Sequence, residues 1–417
     1  MHYEMEQEEH DVYPDDPDFD INKARLVTTA PRICVRYECV PMRFIKHVYK
    51  IHTYAQDGCL FEGKTPVSAF LNSSYDGSFI AGLMELRYIQ SLPVERIINY
   101  FESHGFTLKK PTAHKLMEKA SSLFENLYKC IRQTALSDPY KAADETYYKI
   151  LVPEKNSKGK GVRKGYLWVV VGINTRMIYL LYDDGSRSEK VILNELGGCK
   201  GIIQSDGYSP YRKLESDAYP HITRIPCLQH IKRKFIDCGE DDPDAKRIVE
   251  MINTLYQNEH KHKIGVDGWT VEQNLVHRKK YAPDILGEIK DVLDDIEERG
   301  DLLPKSELKE AITYLRNEWN AVVDIFNYGD TYLDNNIVER MNRYISLSRK
   351  NSLFFGSHKG AERGAILYTI ALTCRMNKVN LFEYLTDIIN RTAEWQPNTP
   401  LEKYRQLLPD RWEKAND

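Results

Sequence analysis

KAADETYYKILV, residues 141–152, is a strand pattern whose side chains alternate, so Asp144 faces one side of a sheet and Glu145 the other. A Lys/Gly-rich turn follows. GYLWVVVGI (165–173) and RMIYLLYDDG (176–185) then read as a hairpin turning at Asn174-Thr175. SRSEKVILNELGG (186–198) has helical spacing, CKGIIQSDGY (199–208) is a strand ending at Asp206, and SPYRKLESDAY (209–219) is helical. HITRIPCLQ (221–229) is a fifth strand, and HIKRKFIDC (230–238) begins a helix.

Three antiparallel strands followed by β-α-β-α give an α+β fold with a mixed five-stranded sheet flanked by helices. This is the order of a ribonuclease H-like core, placed at 140–240. Residues 241–327 carry only helical faces, such as Ile248, Met251, Ile252 and Leu255, or Ile285, Ile289, Val292 and Ile296. They are expected to be a helical insertion. The core should resume over 328–373 with YLDNNIVERMNRY (332–344), a helix starting near Asp334, and end in a helical tail, 374–417.

Upstream, 63–135 is expected to be a helical, helix-turn-helix-like DNA-binding region. Pro93 suits a first helical turn, Val94, Ile97, Ile98 and Phe101 make a face, and Gly105 stops the helix. A second helix is expected from about Pro111 to Leu127. The pair fits a helix-turn-helix and equally any helical hairpin. Residues 33–62 form a small β-like segment. The first twenty residues hold nine acidic groups and no Lys or Arg, so 1–32 are expected to be a disordered acidic tail.

The net charge of −3 hides this segregation. Basic clusters lie at Lys155, Lys158, Lys160, Arg163 and Lys164; at Lys232, Arg233 and Lys234; and at Arg340, Arg343, Arg349, Lys350, Lys359 and Arg363. The eight cysteines are dispersed with no CxxC pair, and the longest apolar run, Tyr166 to Val171, is too short to span a bilayer. The expectation is a reduced cytoplasmic, nucleoid-associated protein with no membrane partner.

Asp144, Asp206 and Glu339 are the candidate catalytic and metal-binding residues. In-line displacement at a phosphodiester needs an activated oxygen nucleophile, a stabilised leaving oxygen and relief of the phosphate's own charge. Two divalent ions about 3.5–4 Å apart meet these needs, and carboxylates are the hard ligands that magnesium or manganese prefer. Taken singly, each residue has a plainer reading: a strand-edge charge, an Asp-Gly turn, and an ion pair between Glu339 and Arg343. Cys227-x-x-His230 is a lone pair where structural zinc takes four ligands, so zinc is not expected.

The segments ADET (143–146), QSDGYSPY (204–211), CLQHIKRKF (227–235), PKSELKEAITYLRNEW (304–319), LDNNIVER (333–340), SRKNSLFFGSHKGA (348–361) and NKVNLFEYLTDIINR (377–391) closely resemble transposases of the insertion sequence 66 family. The resemblance implies a DDE transposase that cleaves element-end DNA and transfers the 3′ end to a target. It gives the catalytic positions to Asp144, Asp206 and Glu339, makes Cys227 and His230 auxiliary, and matches Arg349, Lys350 and Asn351 to the family's RKN segment. Family members usually carry a zinc-binding segment with two cysteine pairs at the front. Cys34, Cys39 and Cys59 do not give that spacing, so the segment is read as degenerate or missing, and helper proteins of the same element join the expected partners. DNA contact is further expected from Lys109, Lys110, His114 and Lys115 at the second helix, and a homodimer or larger assembly from the need to hold two ends. The alternatives are a junction-cutting nuclease of the same fold that does not join strands, a catalytically lapsed DNA-binding relative and, remotely, a two-carboxylate glycosidase.

Overall fold

The computed structural model describes residues 42–48, 50, 53–56, 59–62, 69–70, 73–154, 161–239, 241–393, 395–396 and 398–414. The expectations for 1–32, for the first part of 33–62 and for Lys155, Lys158 and Lys160 therefore lie outside the described residues.

A short hairpin, β1 (Thr53–Gln56) and β2 (Cys59–Glu62), precedes four helices: α1 (Gly77–Met84), α2 (Val94–Ser103), α3 (Lys110–Leu123) and α4 (Glu125–Ser137). The long helix expected to run to Leu127 is broken at Phe124, which leaves helical geometry and buries its ring in the core. No Gly or Pro marks that break. α1 packs on a C-terminal helix, and Tyr128 of α4 donates its hydroxyl to Leu180 O of the sheet at 2.9 Å.

The sheet holds β3 (Tyr140–Leu151), β4 (Val162–Gly172), β5 (Met177–Leu181), β6 (Gly201–Ser205) and β7 (Ile222–Pro226), in the order β5-β4-β3-β6-β7. β3–β4 and β4–β5 are antiparallel, while β3–β6 and β6–β7 are parallel. The β4 run Leu167–Val171 is buried throughout, as a strand covered on both faces must be. α5 (Glu189–Leu196) crosses from β5 to β6, and the short α6 (Ser209–Arg212) with a 3-10 turn, Lys213–Glu215, leads to β7. This is the mixed five-stranded sheet read from the alternation.

α7 (Leu228–Ile236) is followed by the expected helical stretch: α8 (Pro243–Glu259), α9 (Val271–Glu298) and α10 (Glu307–Ile325). α9 extends the Ile285 to Ile296 face back through Pro283 to a capping box at Thr270 and Gln273. The chain then returns as α11 (Asn336–Ser352), α12 (His358–Met376), α13 (Leu381–Thr392) and α14 (Leu401–Arg405). α12 covers the open edge of β5. Thr369 Oγ1 accepts Leu180 N–H at 2.9 Å, and Thr373 Oγ1 accepts Ile178 N–H at 3.2 Å, so strand donors that would otherwise invite another strand are satisfied. Among the described residues no helix is long and apolar enough to cross a membrane.

Candidate active site

Parallel pairing of β3 with β6 matches Tyr140 to Ile202, Lys141 to Ile203 and Ala142 to Gln204. Two residues further along each strand come Asp144 and Asp206, where β6 has just ended at Ser205. Equal offset and equal parity turn both carboxylates to one end and one face of the sheet. Asp206 then bends into the turn at Gly207, its Oδ1 accepting Tyr208 N–H at 3.1 Å.

α11 is laid against β3 by contacts that its sequence alone does not advertise. Tyr140 Oη accepts Tyr332 N–H at 3.0 Å, and the Gln204 amide donates to Tyr332 O at 2.8 Å. Leu228 N–H reaches Leu333 O at 2.9 Å, while Cys227 Sγ accepts Asn335 N–H at 3.2 Å. Asn335, not Asp334, is the residue preceding the helix; its amide donates to Ala143 O at 3.0 Å, and Asp334 Oδ1 accepts Asn336 N–H at 3.1 Å. Two turns on, Asn342 Nδ2 donates to Asp144 Oδ2 at 2.6 Å. Glu339 stands three residues before Asn342, on the same helical face. After the helix, Phe355 exchanges backbone hydrogen bonds with Lys149 and Leu151, closing the segment onto β3.

Asp144 is pushed up to about 8, first by burial and then by the charges of Glu145 and Asp206; the bonds from Glu145 N–H and Asn342 pull the other way. Glu145 lies on the opposite face, as alternation requires. Burial raises it, Arg187 opposes that rise at 3.0 Å, and Tyr211 Oη donates to it at 3.4 Å. His230 Nδ1 is 3.9 Å from Glu339 Oε1. Glu339 Oε1, His230 Nδ1 and Asn342 Oδ1 are buried atoms without a hydrogen-bond partner. Buried unpaired oxygens beside a carboxylate held near neutrality are the surroundings a hard cation would satisfy.

Cys227, His230 and Glu339 are, among the described residues, the one set of three such side chains with ligand atoms all within 4.8 Å of one another. Asp144, Asp206 and Glu339 do not meet that spacing. The tighter set offers three ligands, short of the four of a closed structural zinc site, and its Cys227 Sγ also accepts Asn335 N–H.

These elements match residues 72–363 to the family described as "Transposase IS66 family", well over half the chain. The chain belongs to the transposase IS66 family. It is similar to three uncharacterized proteins of Sinorhizobium fredii (strain NBRC 101917 / NGR234). y4jD is 25% identical over 346 residues, covering 80% of this chain and 65% of the relative. y4hP is 24% identical over 438 residues (95% and 76%), and y4qI is 26% identical over 385 (88% and 69%). The chain thus spans just under two thirds of the first relative's length.

The basic residues singled out in the sequence fall into two groups. Lys109, Lys115, Arg233, Lys234, Arg340, Arg343 and Lys350 are exposed, and Lys232 is half-buried. Others are engaged: Lys110 pairs with Glu95, and Arg349 donates to Tyr147 O at 2.6 Å with its guanidinium 3.9 Å from that ring's centre. Asn351 donates to Ser91 O at 3.0 Å, and Arg87 to Ser348 Oγ at 2.8 Å, tying the N-terminal helices to the end of α11.

The raised Asp144 has a consequence for stability. Without a cation the folded protein keeps a proton that the unfolded chain releases above its ordinary carboxylate value. This stabilising contribution is therefore fully present below about pH 4 and is lost as pH rises toward about 8. Denaturant midpoints in EDTA should fall across that window, and excess Mg²⁺ should reduce the fall by competing with the proton. A flat profile in EDTA would contradict the assignment.

Proposed function

We propose that this chain cleaves element-end DNA and joins the freed 3′ hydroxyl to target DNA, on a ribonuclease H-like core with Asp144, Asp206 and Glu339 as cation ligands. The observation carrying this reading is the equal offset of Asp144 and Asp206 beyond a parallel strand pair, with Asn342 holding Glu339's helix against Asp144. Divalent ions, magnesium or manganese, would supply charge relief at the phosphate and a more acidic nucleophile.

The chain's own residues do the rest. Asn342 orients Asp144 and lowers its proton affinity. His230, beside Glu339, would bind a phosphate oxygen or orient the attacking oxygen. The exposed Arg233, Lys234, Arg340, Arg343 and Lys350 and the half-buried Lys232 neutralise backbone phosphates, with Lys109 and Lys115 at α3 positioning the element end. Two ends must be held together, so the working form is a dimer or larger on DNA.

A supercoiled target plasmid incubated with duplex oligonucleotides from the element's own ends tests this. Joined product supports transposition; nicks without joining leave a nuclease, and binding without either leaves a lapsed DNA-binding relative. Replacing Lys232, Arg233 and Lys234 by Ala should weaken binding uniformly across sequences and lower the log–log salt slope by about 0.9 for each phosphate no longer neutralised, roughly 2–3 in all. An unchanged slope, read by fluorescence anisotropy at several salt concentrations, would remove these residues from the interface.

A further inference from the structure

We infer that α10 of the helical insertion is a positioning element for Asp206, acting through Tyr314, Glu318 and Arg224 on the single peptide unit that follows it. This inference rests on the proposed role of Asp206 as a cation ligand. The peptide joining Asp206 to Gly207 has one acceptor and one donor. Arg224 Nη1 donates to Asp206 O at 3.1 Å, and Gly207 N–H donates to Tyr314 Oη at 2.8 Å. Ser205 Oγ also donates to Asp206 O at 2.9 Å, so the acceptor is held from the strand and from Arg224 and the donor from α10, and the plane of that peptide cannot rotate without breaking a bond at one end.

Arg224 is itself fixed. It projects from β7, is fully buried, and pairs with Glu318 and Glu215, with Ser205 Oγ at 3.4 Å from its other branch. Glu318 is equally buried, so this pair is sealed from water and rigid in a way that an exposed pair is not. Tyr314 and Glu318 are four residues apart on α10, hence on one helical face, and that face packs on β7 and α7. Gly207 leaves the room this needs: a Cβ there would lie 2.5 Å from Tyr314 Oη.

The direction of the Asp206 carboxylate is therefore set by a helix that enters the chain about a hundred residues later. A segment readable as an appendage between the second and third acidic residues is built into the geometry of the second. None of the three side chains touches the reacting atoms; they act through Asp206.

The test uses the full chain without DNA, with Mn²⁺ as probe and binding read by water-proton relaxation, beside thermal melting. Tyr314→Phe keeps the ring and removes only the acceptor for Gly207 N–H. It should weaken Mn²⁺ binding by about fivefold, the effect of one missing hydrogen bond, with the melting temperature lowered by no more than a few degrees. The double variant Arg224→Met/Glu318→Met replaces the buried pair by apolar groups of similar size. It should remain folded and also weaken Mn²⁺ binding by about fivefold or more. Asn317→Ala, on the exposed side of α10, should change neither quantity. If the double variant fails to fold, Tyr314→Phe decides alone. Should Asp206→Asn bind Mn²⁺ as the wild type does, the metal-ligand reading of Asp206 fails. Should Asp206→Asn lose the ion while Tyr314→Phe and the folded double variant bind it at wild-type strength, the positioning inference alone is overturned.

Discussion

Asp206→Asn is expected to reduce both end cleavage and strand joining by roughly a thousandfold or more, several kcal/mol of transition-state stabilisation, with DNA binding intact. The substitution preserves shape. Asn Oδ1 can still accept Tyr208 N–H, and the backbone bonds from Arg224 and to Tyr314 are untouched, so the turn after β6 should hold. What disappears is one negative charge at the end of the strand beside Asp144. Because the Asp206 charge contributes to the raised value of Asp144, Asp144 should titrate lower in the variant, and the pH dependence of stability in EDTA should become shallower. Single-turnover cleavage of labelled end DNA and anisotropy on the same duplex read the two halves separately. Cleavage within a few-fold of wild type would remove Asp206 from the chemistry.

Arg278→Ala should lower stability by about 3–5 kcal/mol, the range for breaking a buried charge pair from one side. Arg278 lies on α9, is 1% exposed, and serves Glu259, Tyr328 O, Thr331 Oγ1 and Thr331 O at once. Burial alone would raise Glu259, yet Arg278 and Tyr281 more than offset it and hold that carboxylate below its ordinary value. Removing the guanidinium strands both the carboxylate and three acceptors in a region largely shielded from water. The same acceptors belong to the segment that leads into α11, so loss of Arg278 also loosens the approach to Glu339. Arg278→Lys should recover only part of the stability, since one ammonium cannot reproduce the planar fork of donors. Urea unfolding midpoints with a shared slope measure both variants. A midpoint shift below about 1 kcal/mol for the alanine would show that the hub carries little of the fold.

What the sequence made legible was what neighbouring residues specify together. Strand alternation around Asp144 and the continuous apolar run GYLWVVVGI, followed by helical spacing and two more strands, pointed to a mixed five-stranded sheet, because apolar runs of strand length must be buried on one face or both. The sequence set Asp144 on the first strand and Asp206 at the end of the neighbouring one, and the β3–β6 register puts the two at the same offset. Asn342, Arg224, Glu318 and Arg278 were not legible. Each is an ordinary polar residue whose partner is remote in sequence, and no local pattern distinguishes it from a solvated one. The Thr369 and Thr373 hydroxyls that close the β5 edge were hidden for the same reason, since a helical threonine does not announce a strand donor across from it. The helix expected to run to about Leu127 ends early because packing overrides propensity at Phe124, which leaves helical geometry with its ring buried in the core.

The measurement closest to the central claim is anomalous diffraction from crystals of the full chain grown with Mn²⁺. The account requires a manganese peak about 2.1 Å from oxygens of both Asp144 and Asp206, with Glu339 turned toward the same ion or a second one beside it. A peak confined to Cys227, His230 and Glu339, or no peak near either aspartate, would contradict it.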